Sequence, residues 1–371
     1  SLFIAVPAFG IVPPRRGGPL PEPVIEAGRS RKDAFRLKRA WIGRLQRQPA
    51  GDTGCAVPLG ALEAAAGFYT ALSGTIRVPV LLGLYTDSPG QPAAATALQQ
   101  EFFDGPWPTG TIDDYFREVS LGLLGVEGNV YDWVELDSTE IYYTAGLGGV
   151  SLGGSRTGEL IRELIDSHDA SIDWGIYDND GPDGAPNSGD DDGFVDVLVL
   201  VHPTIGAECA SQYVHMWSHS GAYSMWSVSG YQPYETDDPA AGGGSIRIDD
   251  YIIGPALSCD GGMIEIGVFC HEFGHAFGLY DLYDWTGYSS GIGYWGLMGA
   301  GNWNTPSSPA HPCAWSKERL GWIEPIEIGW EARSLTLDPV ETSGETVKLI
   351  LPTKRFRRRR YAPFEGGTGL V

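Results

Sequence analysis

Positive charge is scarce in this 371-residue chain, with 25 Lys and Arg against 47 Asp and Glu. A formal charge of −22 argues against nucleic acid as a partner, because phosphate binding needs a basic face. Cysteine is nearly as scarce, at five. None of the five stands in a CxxC pair, which argues against a cysteine zinc site. The odd count leaves one thiol free or all five reduced, and Cys209 with Cys259 is one candidate disulfide. No run of about eighteen apolar residues occurs, so no membrane span is expected. The opening SLFIAVPAFGIVPP has no initiator Met and reads either as the remnant of a signal peptide or as a hydrophobic strand.

The positive charge present is unevenly placed. Residues 1–50 hold ten Lys and Arg against three Asp and Glu, and KRFRRRR near the end holds six more. The stretch between, 51–353, is strongly acidic. Opposite signs in one chain suggest that the basic arm and the acidic body touch, although a solvated arm explains the charge equally well.

Hydrophobic periodicity gives the outline. SRKDAFRLKRAWIGRLQRQ has helical spacing, and TIRVPVLLGLYTD and FVDVLVLVHP (Phe194 to Pro203) read as buried strands. PTGTIDDYFREVSLGLLGVEGNVYDWVEL gives a capped helix and a strand ending near Leu136. GELIRELIDSH reads as a helix, and so does GGMIEIGVFCHEFGHAFGL, with a cap expected at Ser258 or Asp260. The Gly-rich GLGGVSLGGSRTG lacks a phosphate-binding register and reads as a loop. After Trp322 the text changes to the strand patterns SLTLDPV and TVKLILP. The expected organisation is an α+β protein with a basic arm over 1–74, a catalytic unit over 75–330 and a β-rich segment over 331–371.

One stretch carries chemistry: FCHEFGHAFGLYDLYD, Phe269 to Asp284. Residues four apart share a helix face, so His271 and His275 can hold one metal ion. Glu272 sits where it can reach a water on that ion. A catalytic zinc needs a third protein ligand, and no glutamate occurs between His275 and Glu318 to supply one in the thermolysin manner. Gly278 can stop the helix and turn the chain, letting Asp281 return to the ion. Asp284 lies further on and suits a bracing role. The spacing HExxHxxGxxD resembles that of the metzincins, which implies a Met-turn beneath the metal, and Met298, one of four Met, sits in the Gly-rich GYWGLMGAGNWN in the place for it. Tyr294, Trp295 and Trp303 nearby are candidates for a substrate pocket, with core packing the plainer reading of the two Trp.

YDNDGPDGAPNSGDDDGFVD packs seven aspartates into twenty residues. Hard oxygen ligands on Gly-punctuated turns suit Ca²⁺, with Asp178, Asp180, Asp192 and Asp196 as candidates. An exposed acidic loop is the alternative. His219 and His311 read as structural, and Cys270 as a buried thiol. Cys55 and Asp52 are the arm's candidate ligands for the open zinc position.

The order of these motifs, with MWSHS, RIDDYIIGP and SPAHPCAWSKERLGW, resembles the immune inhibitor A family of secreted bacterial metallopeptidases, family M6, over about residues 75–330. The resemblance implies a metzincin-like zincin catalytic domain, a twisted mixed sheet with an active-site helix. It implies a zinc endopeptidase acting on proteins or peptides, secreted as a precursor whose N-terminal pro-segment restrains it, and a β-rich domain beyond. The chain departs from the pattern in an insertion within the acidic loop and in KRFRRRR, where a strand is expected. A catalytically silent zincin used for binding or adhesion is the rival reading, and the intact Glu272 argues against it. A second rival is an acidic calcium-binding surface protein in which HExxH is coincidental.

Overall fold

In the computed structural model, residues 10–30, 35–38, 71–209, 212–329 and 331–350 are described. Helix α1 (Glu22–Ser30) lies in the arm. Strand β1 (Gly74–Leu84) opens a five-stranded sheet. Helices α2 (Ala95–Gln99) and α3 (Ile112–Val119) precede β2 (Leu124–Glu135). Thr111 and Asp114 form a reciprocal capping box at the start of α3, satisfying two backbone donors that the helix leaves open. After α4 (Glu140–Thr144) and α5 (Thr157–His168) come β3 (Leu198–Ile205), β4 (His219–Ala222), β5 (Tyr234–Pro239), β6 (Ser245–Ile248) and β7 (Asp250–Leu257). Helix α6 (Gly267–Ala276) follows. The last described elements are α7 (Ala314–Arg319), β8 (Ile326–Ile328), α8 (Val340–Ser343) and β9 (Val347–Leu349).

The sheet order is β2-β1-β3-β7-β4. All pairings are parallel except β4, which runs antiparallel to β7 at one edge. The inner strands are apolar at nearly every position because both faces are covered. From β1, Val78, Val80 and Leu82 join a core shared with α2, α3 and α6, while Leu81 joins one shared with α5. The fold is thus a mixed α/β arrangement whose antiparallel edge strand lies beside α6.

Several expectations are corrected. Phe35 to Lys38 are not helical, and the rest of that predicted helix lies outside the described residues apart from Ser30, the last residue of α1. Phe35 is instead buried edge-on to His219, its carbonyl takes the Gly10 N–H, and the Lys38 N–H reaches Asp250. These tertiary contacts outweigh the local helical period. Helix α6 begins at Gly267 rather than near Ser258 or Asp260. Residues before it form a turn at Gly261 and a bridge from Leu257 to Met263. SLTLDPV forms no strand, and Leu335 and Leu337 are exposed. TVKLILP contributes β9, which pairs in parallel with β8.

Candidate active site

All ten residues of α6 are buried, an environment in which histidines and a carboxylate persist only with partners or a function. Each histidine is oriented from behind. The Nδ1 of His271 faces the Leu297 carbonyl at 2.9 Å, and that of His275 faces the Leu279 carbonyl at 3.0 Å. A carbonyl can only accept, so Nδ1 carries a proton and each ring turns its Nε2 forward.

Gly278, at φ +94°, stops the helix, and its N–H returns to the His275 carbonyl. The chain then doubles back. Asp281 Oδ1 comes to 3.2 Å from His271 Nε2 and 3.3 Å from His275 Nε2. Ligands about 2.0–2.1 Å from a tetrahedral ion lie ~3.3 Å from one another, and both Asp281 contacts have that separation. Glu272 is fully buried, with a ligand atom within 4.8 Å of both histidines. Burial raises its carboxyl, while His275 and His271 oppose the shift.

Met298 packs under the helix. A Cβ on Gly274 would lie 2.4 Å from the Met298 sulfur, so the turn approaches the helix as closely as glycine alone permits. The same turn supplies the Leu297 carbonyl behind His271. Asp284 points elsewhere: it accepts from the N–H groups of Thr286 and Ser289, each at 2.9 Å, and braces the loop.

The arm lies against this centre. Ile11 bridges His219 of β4 in antiparallel fashion, with Ser220 N–H to the Gly10 carbonyl at 2.7 Å and Val12 N–H to the Ser218 carbonyl at 3.2 Å. Tyr283 donates its phenol to the Ile11 carbonyl, Trp217 its indole N–H to Val12 and Trp303 to Pro13. Residues 11–14 are buried. Tyr283, whose ring centre is 6.4 Å from that of His271, went unremarked in the sequence, where nothing distinguishes it from Tyr280. Trp303 reaches the arm, whereas Tyr294 and Trp295 stand 53% and 91% exposed.

His219 is buried between the Trp217 carbonyl and the Tyr251 phenol, and burial lowers it to about 4. It is a neutral structural group, as expected. His311 is held by Glu118 and Lys317. Cys209 and Cys259 form a disulfide, and Cys270 is a buried free thiol. Cys55 and Asp52 lie outside the described residues.

In the acidic loop, ligand atoms of Asp178, Asp180 and Asp196 lie within 4.8 Å of one another. Asp178 is 1% exposed with its Oδ1 unpartnered. Burial raises it to about 7, with Asp191, Asp192 and Asp180 adding to the shift. Asp192 is exposed and outside that group, though its N–H donates to Asp180.

Comparison with known proteins bears on the family. The chain is 27% identical over 267 residues to the pre-pro-metalloprotease PrtV of Vibrio cholerae, covering 65% of this chain and 28% of that one. It is 27% identical over 248 residues to immune inhibitor A of Bacillus thuringiensis subsp. alesti, covering 60% of this chain and 34% of that one. It therefore spans about a third of the length of these relatives. The model of the immune inhibitor A peptidase M6 catalytic domain matches residues 104–330, and the chain belongs to that family of metallopeptidases.

Proposed function

We propose that the chain is a zinc endopeptidase of metzincin type that hydrolyses proteins or peptides, made as a precursor and working outside the cell. The observation that carries this reading is the 3.2 and 3.3 Å convergence of Asp281 on both histidine Nε2 atoms. His271, His275 and Asp281 would hold the ion. When bound, zinc supplies Lewis acidity, bringing a water toward a pKa of ~7 and polarising a carbonyl. Glu272 takes the proton of the attacking water and delivers it to the leaving amine as the C–N bond breaks. Burial favours this role by raising the carboxyl toward the range of a two-way proton carrier. Tyr283 rather than Tyr294 is the phenol placed to steady the carbonyl oxygen, since it already donates to Ile11. The substrate lies along the edge strand β4, where the arm now lies.

The arm is the chain's own restraint. It blocks the cleft by lying in it through Gly10 to Pro14. Arg15 to Asp260 at 3.3 Å and Lys38 to Asp249 at 3.6 Å add charge contacts between arm and body in support of this reading. The disulfide suits an oxidising compartment, and no helix among the described residues is long and apolar enough to cross a membrane. The acidic loop holds Ca²⁺ through Asp178, Asp180 and Asp196, and the buried unpartnered oxygen of Asp178 supports this over a merely solvated loop. Digestion of casein by the zinc-loaded protein, its arm displaced by Gly10→Leu, with and without Glu272→Ala, tests the central reading. A silent binding module would digest nothing in either form.

A further inference from the structure

Beyond Pro14 the arm continues past the end of β4, and the Arg15 N–H donates to the Glu208 carbonyl at 3.0 Å. There the Arg15 side chain, still 37% exposed, lines a pocket together with Glu208, Asp260, Glu265, Trp303 and Pro306. The space left between them is ≈ 10 Å³, room for about one water. The Cys209–Cys259 disulfide joins the two segments that form its rim. The guanidinium contacts Asp260 at 3.3 Å. Burial raises the Glu265 carboxyl and Arg15 opposes that rise. Glu208, 1% exposed, holds the Ser218 N–H and hydroxyl and so fixes the start of β4 beside the pocket.

We propose that this pocket selects a basic side chain, Arg or Lys, in the peptide bound along β4, and that Arg15 occupies it as a stand-in for substrate. The inference rests on the reading of the cleft as a peptidase site. The arm also gives the register. Its Ile11 carbonyl meets Tyr283 beside His271, and Arg15 follows four residues on. A substrate laid in the same way carries its basic residue four positions beyond the carbonyl at the centre. The aliphatic part of the side chain packs on Trp303 and Pro306, and its cationic end meets Asp260 and Glu265.

The test uses the full chain, folded with a site-specific protease sequence inserted after residue 60 and then cut so that the arm can exchange. A labelled peptide of residues 8–17 is compared with its Arg15→Ala form by fluorescence anisotropy. The expected result is ~fivefold weaker binding of the Arg15→Ala peptide, the upper range of a solvent-exposed charge pair. In the Asp260→Asn/Glu265→Gln double variant the two peptides should bind within about twofold of each other. Equal binding in the cut native protein, no binding of either peptide, or a preference that survives the double variant would overturn the pocket. Casein hydrolysis by the same sample separates the two readings. Hydrolysis without preference for the Arg peptide overturns the pocket and leaves the peptidase. Preference without hydrolysis overturns the peptidase and leaves the pocket.

Discussion

At the scale of single residues, the account assigns different losses to neighbours in one short stretch. Glu272→Ala should keep zinc and lose ~10²–10⁴-fold or more in kcat, because the proton carrier is gone while the ligands remain. Asp281→Ala should lower zinc affinity far more than Asp284→Ala, since Asp284 spends its oxygens on Thr286 and Ser289. Metal titration of the two variants checks this, and equal losses would undo the assignment. Tyr283→Phe removes a phenol and leaves the ring. It should lower kcat by ~10–10³-fold with zinc retained, whereas Tyr294→Phe should change little. The histidines, the glutamate and Asp281 were legible in the sequence because a helix converts spacing into a shared face and Gly278 marks where it ends. Tyr283 and the Leu297 carbonyl were not legible. Their roles depend on how the arm and the Met298 turn pack against the site, which no local pattern encodes.

At the scale of elements, α6 is held between the sheet and the turn at Met298. A methyl group on Gly274 would meet the Met298 sulfur at 2.4 Å. Gly274→Ala therefore forces the buried Met298 side chain to repack beneath the helix. The expected cost is about 1–3 kcal/mol of stability, measured by denaturant unfolding. The strands of the sheet were legible from continuous apolar runs. The start of α6 was not, because Gly267 packs against the backbone of Asn302 and Pro306, a constraint that outranks any capping residue. SLTLDPV shows the converse: alternation alone does not make a strand when no partner edge is offered.

At the scale of the whole molecule, the charge asymmetry of the sequence becomes contact between arm and body. Gly10 lies so close to Ser220 that a Cβ would meet its hydroxyl oxygen at 1.9 Å. Gly10→Leu should thus expel the arm and raise the rate of casein digestion over that of the native chain. An unchanged rate would mean that the arm does not restrain the enzyme. The acidic body also stores a pH dependence away from the metal site. Glu101, 3% exposed, is raised to about 8 by burial and by Glu265. A carboxyl raised in the folded state favours folding while protonated, and that advantage is lost as pH climbs from about 4.5 to about 8. Glu101→Gln should therefore be near neutral at pH 5 and stabilising by about 2–4 kcal/mol at pH 9, read from urea midpoints at the two values.

The central claim is a zinc ion held by His271, His275 and Asp281 and served by Glu272. The most direct measurement is elemental analysis of the purified full chain beside its Glu272→Gln and His275→Ala variants. The account predicts one zinc per chain in the native protein and in Glu272→Gln, and almost none in His275→Ala. Zinc absent from the native protein after incubation with the ion, or retained in full by His275→Ala, would contradict it.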